Sequence, residues 1–184
     1  MATENQSKNR NQSRREARPD DGFDQVIIDI ARVTRVMAGG KRMRFRACVV
    51  VGDKKGKVGS SVAKGADVTM AVNKAVTKAK KNLVNVSIIN ETIPHQIRSK
   101  YGAAKILLKP APKGSGVIAG GAARSVLELA GVSNVVAKIL GSKNKINNVR
   151  ATILALSKLK KVESRQGGKS QEVKKFKVDQ DIKK

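Results

Sequence analysis

Three arginines at alternate positions, Arg42, Arg44 and Arg46, are the clearest chemical feature of this 184-residue chain. Alternate side chains of a β-strand share one face, so these three would form a row, with Met43, Phe45, Ala47 and Val49 facing the other way. A guanidinium is planar, always charged, and presents a fork of N–H donors that matches two phosphate oxygens. Arg32 and Arg35 in the preceding segment are expected to extend the row into a cationic sheet surface. Like charges on neighbouring strands repel, so the arrangement is costly without an anion, and anion binding is the favoured reading. Between the two segments stands Met37-Ala38-Gly39-Gly40-Lys41-Arg42. Its two glycines permit positive φ or close backbone approach, which would bring Lys41 and Arg42 near phosphates. An ordinary hairpin turn with solvated charges fits the same residues. Lys54, Lys55 and Lys57, around the turn GDKKG, and Lys64 complete the candidate basic surface.

Other chemistry has less to work with. Gly114, Gly116, Gly120 and Gly121 precede a helical pattern in KGSGVIAGGAARS, and N–H groups at a helix start attract anions. That would suit a nucleotide-phosphate loop, and hence a small-molecule phosphotransferase as the alternative function. The spacing is neither G-x-x-x-x-G-K-S/T nor G-x-G-x-x-G, and such glycines more often serve tight turns and close packing. Catalysis also needs a base or metal ligands. The body offers Asp21, Asp24, Asp29, Asp53, Asp67, Glu91 and Glu128, with no pair at metal-site spacing. His95, the sole histidine, cannot build a histidine cluster and reads as a surface or loop hydrogen-bonding residue. Cys48, the sole cysteine, has apolar neighbours and reads as a small core residue. No catalytic residue, metal or cofactor is expected.

Composition agrees with a polyanion partner. Thirty-nine Lys and Arg stand against 14 Asp and Glu, a formal charge of +25. Of this, +2 falls on residues 1–20 and +6 on 158–184, leaving +17 on 21–157, so basic ends do not account for the imbalance. Neutralised phosphates release counterions, which makes nucleic acid a favourable partner. Aromatic residues are 2% of the chain, too few for base stacking along a single strand, so binding through phosphates and shape is expected. No apolar run approaches the roughly 20 residues that cross a bilayer, and MATENQSKNR has no apolar leader segment. The expected compartment is the cytoplasm. KKFK, Lys174 to Lys177, could touch a membrane, but no long amphipathic helix supports this, and RNA is an equally good partner for it.

The elements that must position these residues form two groups. Residues 1–21 and 163–184 are polar and read as a disordered arm and a flexible basic tail. Three β-rich runs separated by glycine turns read as an antiparallel meander. A helix should follow from Asp67 to about Leu83, burying Val68, Val72, Ala75, Val76, Ala79 and Leu83, with Lys74, Lys78 and Lys81 as a second stripe and Lys80-Lys81 complementing the dipole. This gives a β-β-β-α domain over 22–87. After a linker at 88–93, a second α+β domain is expected over 94–162: short strands in VSIIN and TIPHQI with Pro94 at an edge, a clear strand AAKILLK, a helix over about 120–130 stopped by Gly131, a strand VVAKIL, and a helix from Asn144 carrying Ile146, Val149, Ile153, Leu156 and Leu159.

Three stretches carry a resemblance: RVTRVMAGGKRMRFRACVVVGDKKGKVG, NKAVTKAKKNLVNV and GSGVIAGGAARSVLELAGVSNVVAKILGSKNKINNVRAT. Over about residues 22–162 the chain resembles the small ribosomal subunit protein five family in its bacterial form. The resemblance implies a first domain similar to a double-stranded RNA-binding domain lacking its first helix, which reads A-form shape. It implies a second α+β unit of β-α-β-α type whose fold some small-molecule kinases share, although fold does not transfer activity. It further implies no enzymatic activity and no cofactor. The implied partners are small-subunit rRNA near the decoding region, mRNA along the path by which it enters, and ribosomal proteins four and eight, with three also nearby. Met37–Arg42 matches the family loop near the spectinomycin site. Gly116 and Arg124 match the region facing protein four, where family changes affect decoding accuracy. The chain departs from the family at Gly59–Gly65, which reads Gly-Ser-Ser-Val-Ala-Lys-Gly in place of Gly-x-Gly-x-Gly-Lys-Ala with intervening aromatics; Lys64 remains.

Overall fold

The computed structural model describes residues 22–160; the arm expected over 1–21 and the tail expected over 163–184 lie outside them. The meander forms as the glycine spacing predicts: β1 (Asp24–Met37), β2 (Gly40–Gly52) and β3 (Lys57–Gly65) pair antiparallel in sequence order. Asp67 caps α1 (Val68–Lys81), its Oδ1 accepting from Val68 N at 2.7 Å. The helix stops two residues before the expected Leu83, because Asn82 leaves helical geometry and its N–H turns back to Ala79 O. Leu83–Asn85 then forms β4, a three-residue strand on β3, making the order β-β-β-α-β.

The buried ridge of α1 is Ala71, Ala75 and Ala79, with Val72 and Val76 only partly buried. An alanine ridge lets a helix sit close to a sheet, and β3 is cut to match. A Cβ at Gly59 would lie 2.7 Å from Ala79 O, and one at Gly65 would lie 2.6 Å from Ala71 N. The remaining glycines of the altered 59–65 segment therefore keep its close backbone approach.

The second sheet holds β5 (Ile97–Tyr101), β6 (Ala104–Pro110), β7 (Val117–Ile118) and β8 (Val135–Ile139) in the order β5-β6-β8-β7, with β7 and β8 parallel. TIPHQI is not a strand. Pro94 has no N–H to give a ladder, and pairing starts at Ile97, leaving one isolated bridge between Ile89 and Thr92. Gly131, at φ 83, ends α2 (Gly121–Ala130) in the left-handed position that favours glycine. Asn144 caps α3 (Lys145–Ser157).

The two sheets share a core. Val50 of β2 and Val58 of β3 join Ile93, Ile106, Leu108, Leu127, Val135 and Leu156 in one buried cluster. The β2–β3 turn docks on the end of α2, with Lys54 N donating to Leu129 O and Gly56 N to Ala130 O, both at 3.0 Å. Added Cβ atoms at Gly52 and Gly131 would collide with the backbones of Leu129 and Lys54, so this joint is built backbone to backbone. The later half of β2 is thus covered twice: Ala47, Val49 and Val51 lie under α1, and Val50 faces the second domain. Cys48 is buried in the same stretch, and burial raises its thiol pKa, as suits a core residue. Among the described residues no helix is long and apolar enough to cross a membrane.

Candidate nucleic-acid interface

The other half of β2 is bare. Residues 40–44 are all exposed, and this part of the β1–β2 hairpin projects past α1. The register sets its charges. Arg35 pairs with Arg42, Val33 with Arg44 and Ala31 with Arg46, and across the next ladder Arg46 pairs with Lys64. Paired residues share a face, so Arg35, Arg42, Arg44, Arg46 and Lys64 form one cationic surface. Arg35, Arg42, Arg44 and Lys64 line a groove of about 290 Å³ with Val33, Thr34 and Met37. Arg32 does not belong to it. Its partner is Phe45, on the reverse face that packs toward α1.

A bulge at Ile28 brings Asp29 onto the arginine face. There it lies 3.7 Å from Arg46 and 3.2 Å from Lys145 of α3. Arg46 is therefore half-buried and partly neutralised, while Arg42 and Arg44 stay fully displayed.

At the tip, Met37 pairs with Gly40, leaving Ala38-Gly39 as a two-residue turn. Gly39 has φ 85 and Gly40 φ 147, and no atom lies within 4 Å of a Cβ built on either. The glycines serve conformation, since a left-handed second turn residue requires one, and they leave the tip open on all sides.

Lys54, Lys55 and Lys57 are not near the tip. They sit at the far end of a 13-residue strand, about 40 Å away at roughly 3.3 Å per residue. Lys54 is ion-paired to Asp24 at 2.6 Å. Asp53 accepts from Lys55 N and Lys57 N, both at 2.8 Å; burial opposes its ionisation, but these N–H bonds outweigh it and hold the carboxyl below its ordinary pKa. The lysine stripe of α1 is also separate, because α1 covers the sheet face opposite the arginine row.

The glycine-rich stretch is occupied from within. Asn134, 3% exposed, accepts on Oδ1 from Gly114 N at 3.0 Å and Gly116 N at 3.2 Å. Its Nδ2 donates to Glu91, and its carbonyl accepts from Thr92 Oγ1. The Gly114 and Gly116 N–H groups are thus already bonded to this side chain. Gly116, at φ 68, is half-buried in this knot, while Arg124 stands exposed on α2. His95 is half-buried in the loop before β5. Among the described residues no group of His, Cys, Asp or Glu could hold a metal.

Residues 23–87 match the model of ribosomal protein S5, N-terminal domain, and residues 99–168 that of ribosomal protein S5, C-terminal domain. The chain belongs to the ribosomal protein S5 family. Its two mixed α+β units are the fold that membership implies. Proteins of the ribosomal protein S5 family are structural proteins of the small subunit, not enzymes. The small ribosomal subunit protein uS5c of Spinacia oleracea is 52% identical over 141 residues, covering 76% of this chain and 46% of the relative. The chain thus spans just under half the length of that relative.

Proposed function

We propose that the protein is a non-catalytic, structural constituent of the small ribosomal subunit that binds its rRNA through the projecting β1–β2 hairpin. The observation that carries this is the face holding Arg35, Arg42, Arg44 and Lys64 with one nearby carboxylate, Asp29, already engaged by Arg46 and Lys145. Repulsion among these cations is relieved when phosphates lie between them. The shortage of aromatics favours recognition of A-form shape.

On this reading Gly39, Gly40 and Lys41 carry the tip into the RNA near the decoding region and the path by which mRNA enters. Arg32, on the reverse face, and Lys54, Lys55 and Lys57, at the far end, touch other segments of the transcript. Gly116 and Arg124 face ribosomal protein four and bear on accuracy, with proteins eight and three as further neighbours. The working place is the ribosome of the cytoplasm. The phosphotransferase alternative loses two of its loop amides, because Asn134 already holds those of Gly114 and Gly116.

Filter binding of the full chain to small-subunit rRNA across a salt series tests the proposal. With about six to ten phosphates contacted, affinity should fall roughly 10³- to 10⁵-fold between 50 and 200 mM salt. A flat profile would overturn it.

A further inference from the structure

The second sheet has one uncovered side. Ile106, Leu108, Val135 and Ala137 point to the core shared with α2 and α3. The alternate residues point away, and the register arranges them as a grid. Arg98 pairs with Leu107 and Leu107 with Lys138, while Lys100 pairs with Lys105. Lys105 and Lys109 flank Leu107 along β6 on the same face, each about 7 Å from it in two strand steps. Leu107 is therefore surrounded by four cations, Arg98, Lys138, Lys105 and Lys109, with Lys100 just beyond.

All five cations are exposed, and none makes an ion pair among the described residues. Between residues 86 and 160 the only carboxylates are Glu91 and Glu128, in the loop held by Asn134 and on α2. Neither lies on this face. Lys100 directly opposite Lys105 is a repulsive pair.

We propose that this uncovered face is a second RNA-binding surface, gripping duplex backbone independently of the hairpin. The inference rests on reading the chain as an RNA binder. Protein interfaces have centres depleted of charge and enriched in aromatics, whereas this centre is one leucine ringed by cations. Without aromatics the face cannot stack single-stranded bases. A duplex, with a charge about every 1.7 Å of axis, sets several phosphates against the roughly 13 Å from Lys105 to Lys109. The apolar side chains Ile118 and Val136 stand at the margin, on β7 and β8.

The test replaces Lys105, Lys109 and Lys138 together by Gln in the full chain. Binding to a mixed-sequence RNA duplex of about 16 base pairs is then measured from 50 to 200 mM salt. The expected result is a salt slope shallower by about 2.7, one contact of about 0.9 for each lysine, with an unchanged melting temperature. On small-subunit rRNA, hydroxyl-radical protections lost by this variant should fall on a different tract from those lost by Arg42→Ala/Arg44→Ala. An unchanged slope, with the hairpin variant still reducing it, overturns this inference and leaves the hairpin reading standing. If neither variant changes the slope, the hairpin reading fails and takes the inference with it. Unchanged RNA binding with failed incorporation into subunits assigns the face to a protein partner, and likewise overturns the inference.

Discussion

Arg35 and Arg42 stand directly opposite one another on β1 and β2, two like charges at a paired position of an exposed ladder. Removing either should relieve repulsion in the free protein. Arg42→Ala and Arg44→Ala are therefore expected to leave circular dichroism unchanged and the melting temperature equal or slightly higher, while each lowers the RNA salt slope by about 0.9. Arg46→Ala should differ, losing some stability as well, because Arg46 also holds Asp29. Equal behaviour of all three in both measurements would contradict the face geometry.

The tip makes a separate prediction. Gly39 and Gly40 have space around them but occupy backbone conformations closed to most residues. Gly40→Val should cost about 1–2 kcal/mol of stability, distort the turn and reduce incorporation into subunits. On the proposal that this loop lies near the spectinomycin site, the drug response should change with it. Urea melts together with sedimentation of labelled variant into small subunits check this.

Asn134→Ala strands the Gly114 and Gly116 amides. Two part-buried donors losing their acceptor, plus the lost volume of a buried side chain, should cost about 1–3 kcal/mol. Denaturant unfolding measures the loss, and faster amide exchange at Gly114 and Gly116 locates it. A loss below about 1 kcal/mol would mean that water replaces Asn134 readily.

Acid should loosen the start of α1. The Thr69 hydroxyl and the Val68 N–H bond the Asp67 carboxylate and hold it below its ordinary 3.8. A carboxyl lowered in the folded state stabilises fully above the unfolded value and loses that contribution as pH falls through the folded one. Asp67→Asn keeps an acceptor but carries no charge, so its stability should vary less with pH below about 4. Acid titrations of the two proteins followed by circular dichroism decide the point.

How far the sequence reveals this molecule depends on the range of the interaction. The alternation at 42–46 and the glycines at 39 and 40 are local signals, and the hairpin and its tip follow from them. Asp67, Gly131 and Asn144 mark helix ends with equal clarity. Arg32 was legible too: it lies three residues from Arg35, and an odd separation in a strand puts the pair on opposite faces. β4 is three residues with no alternation to detect. The separation of Lys54, Lys55 and Lys57 from the tip, and the capture of the glycine stretch by a residue 18 to 20 positions later, arise from tertiary geometry that no short window contains. The bare side of the second sheet becomes visible only once both helices are known to pack on the same side.

β2 is gripped from above and below along its later half and free along its earlier one. Mechanically it is a cantilever, built into a wall at the Gly52 end and loaded at the Gly40 end. A beam of that kind hands any tilt of its mounting to its tip, magnified by its length. The backbone seam of Gly52, Leu129, Lys54 and Gly131 thus aims the arginines from about 20 to 33 Å away. A single added methyl at that seam would shift where they land without touching one of them.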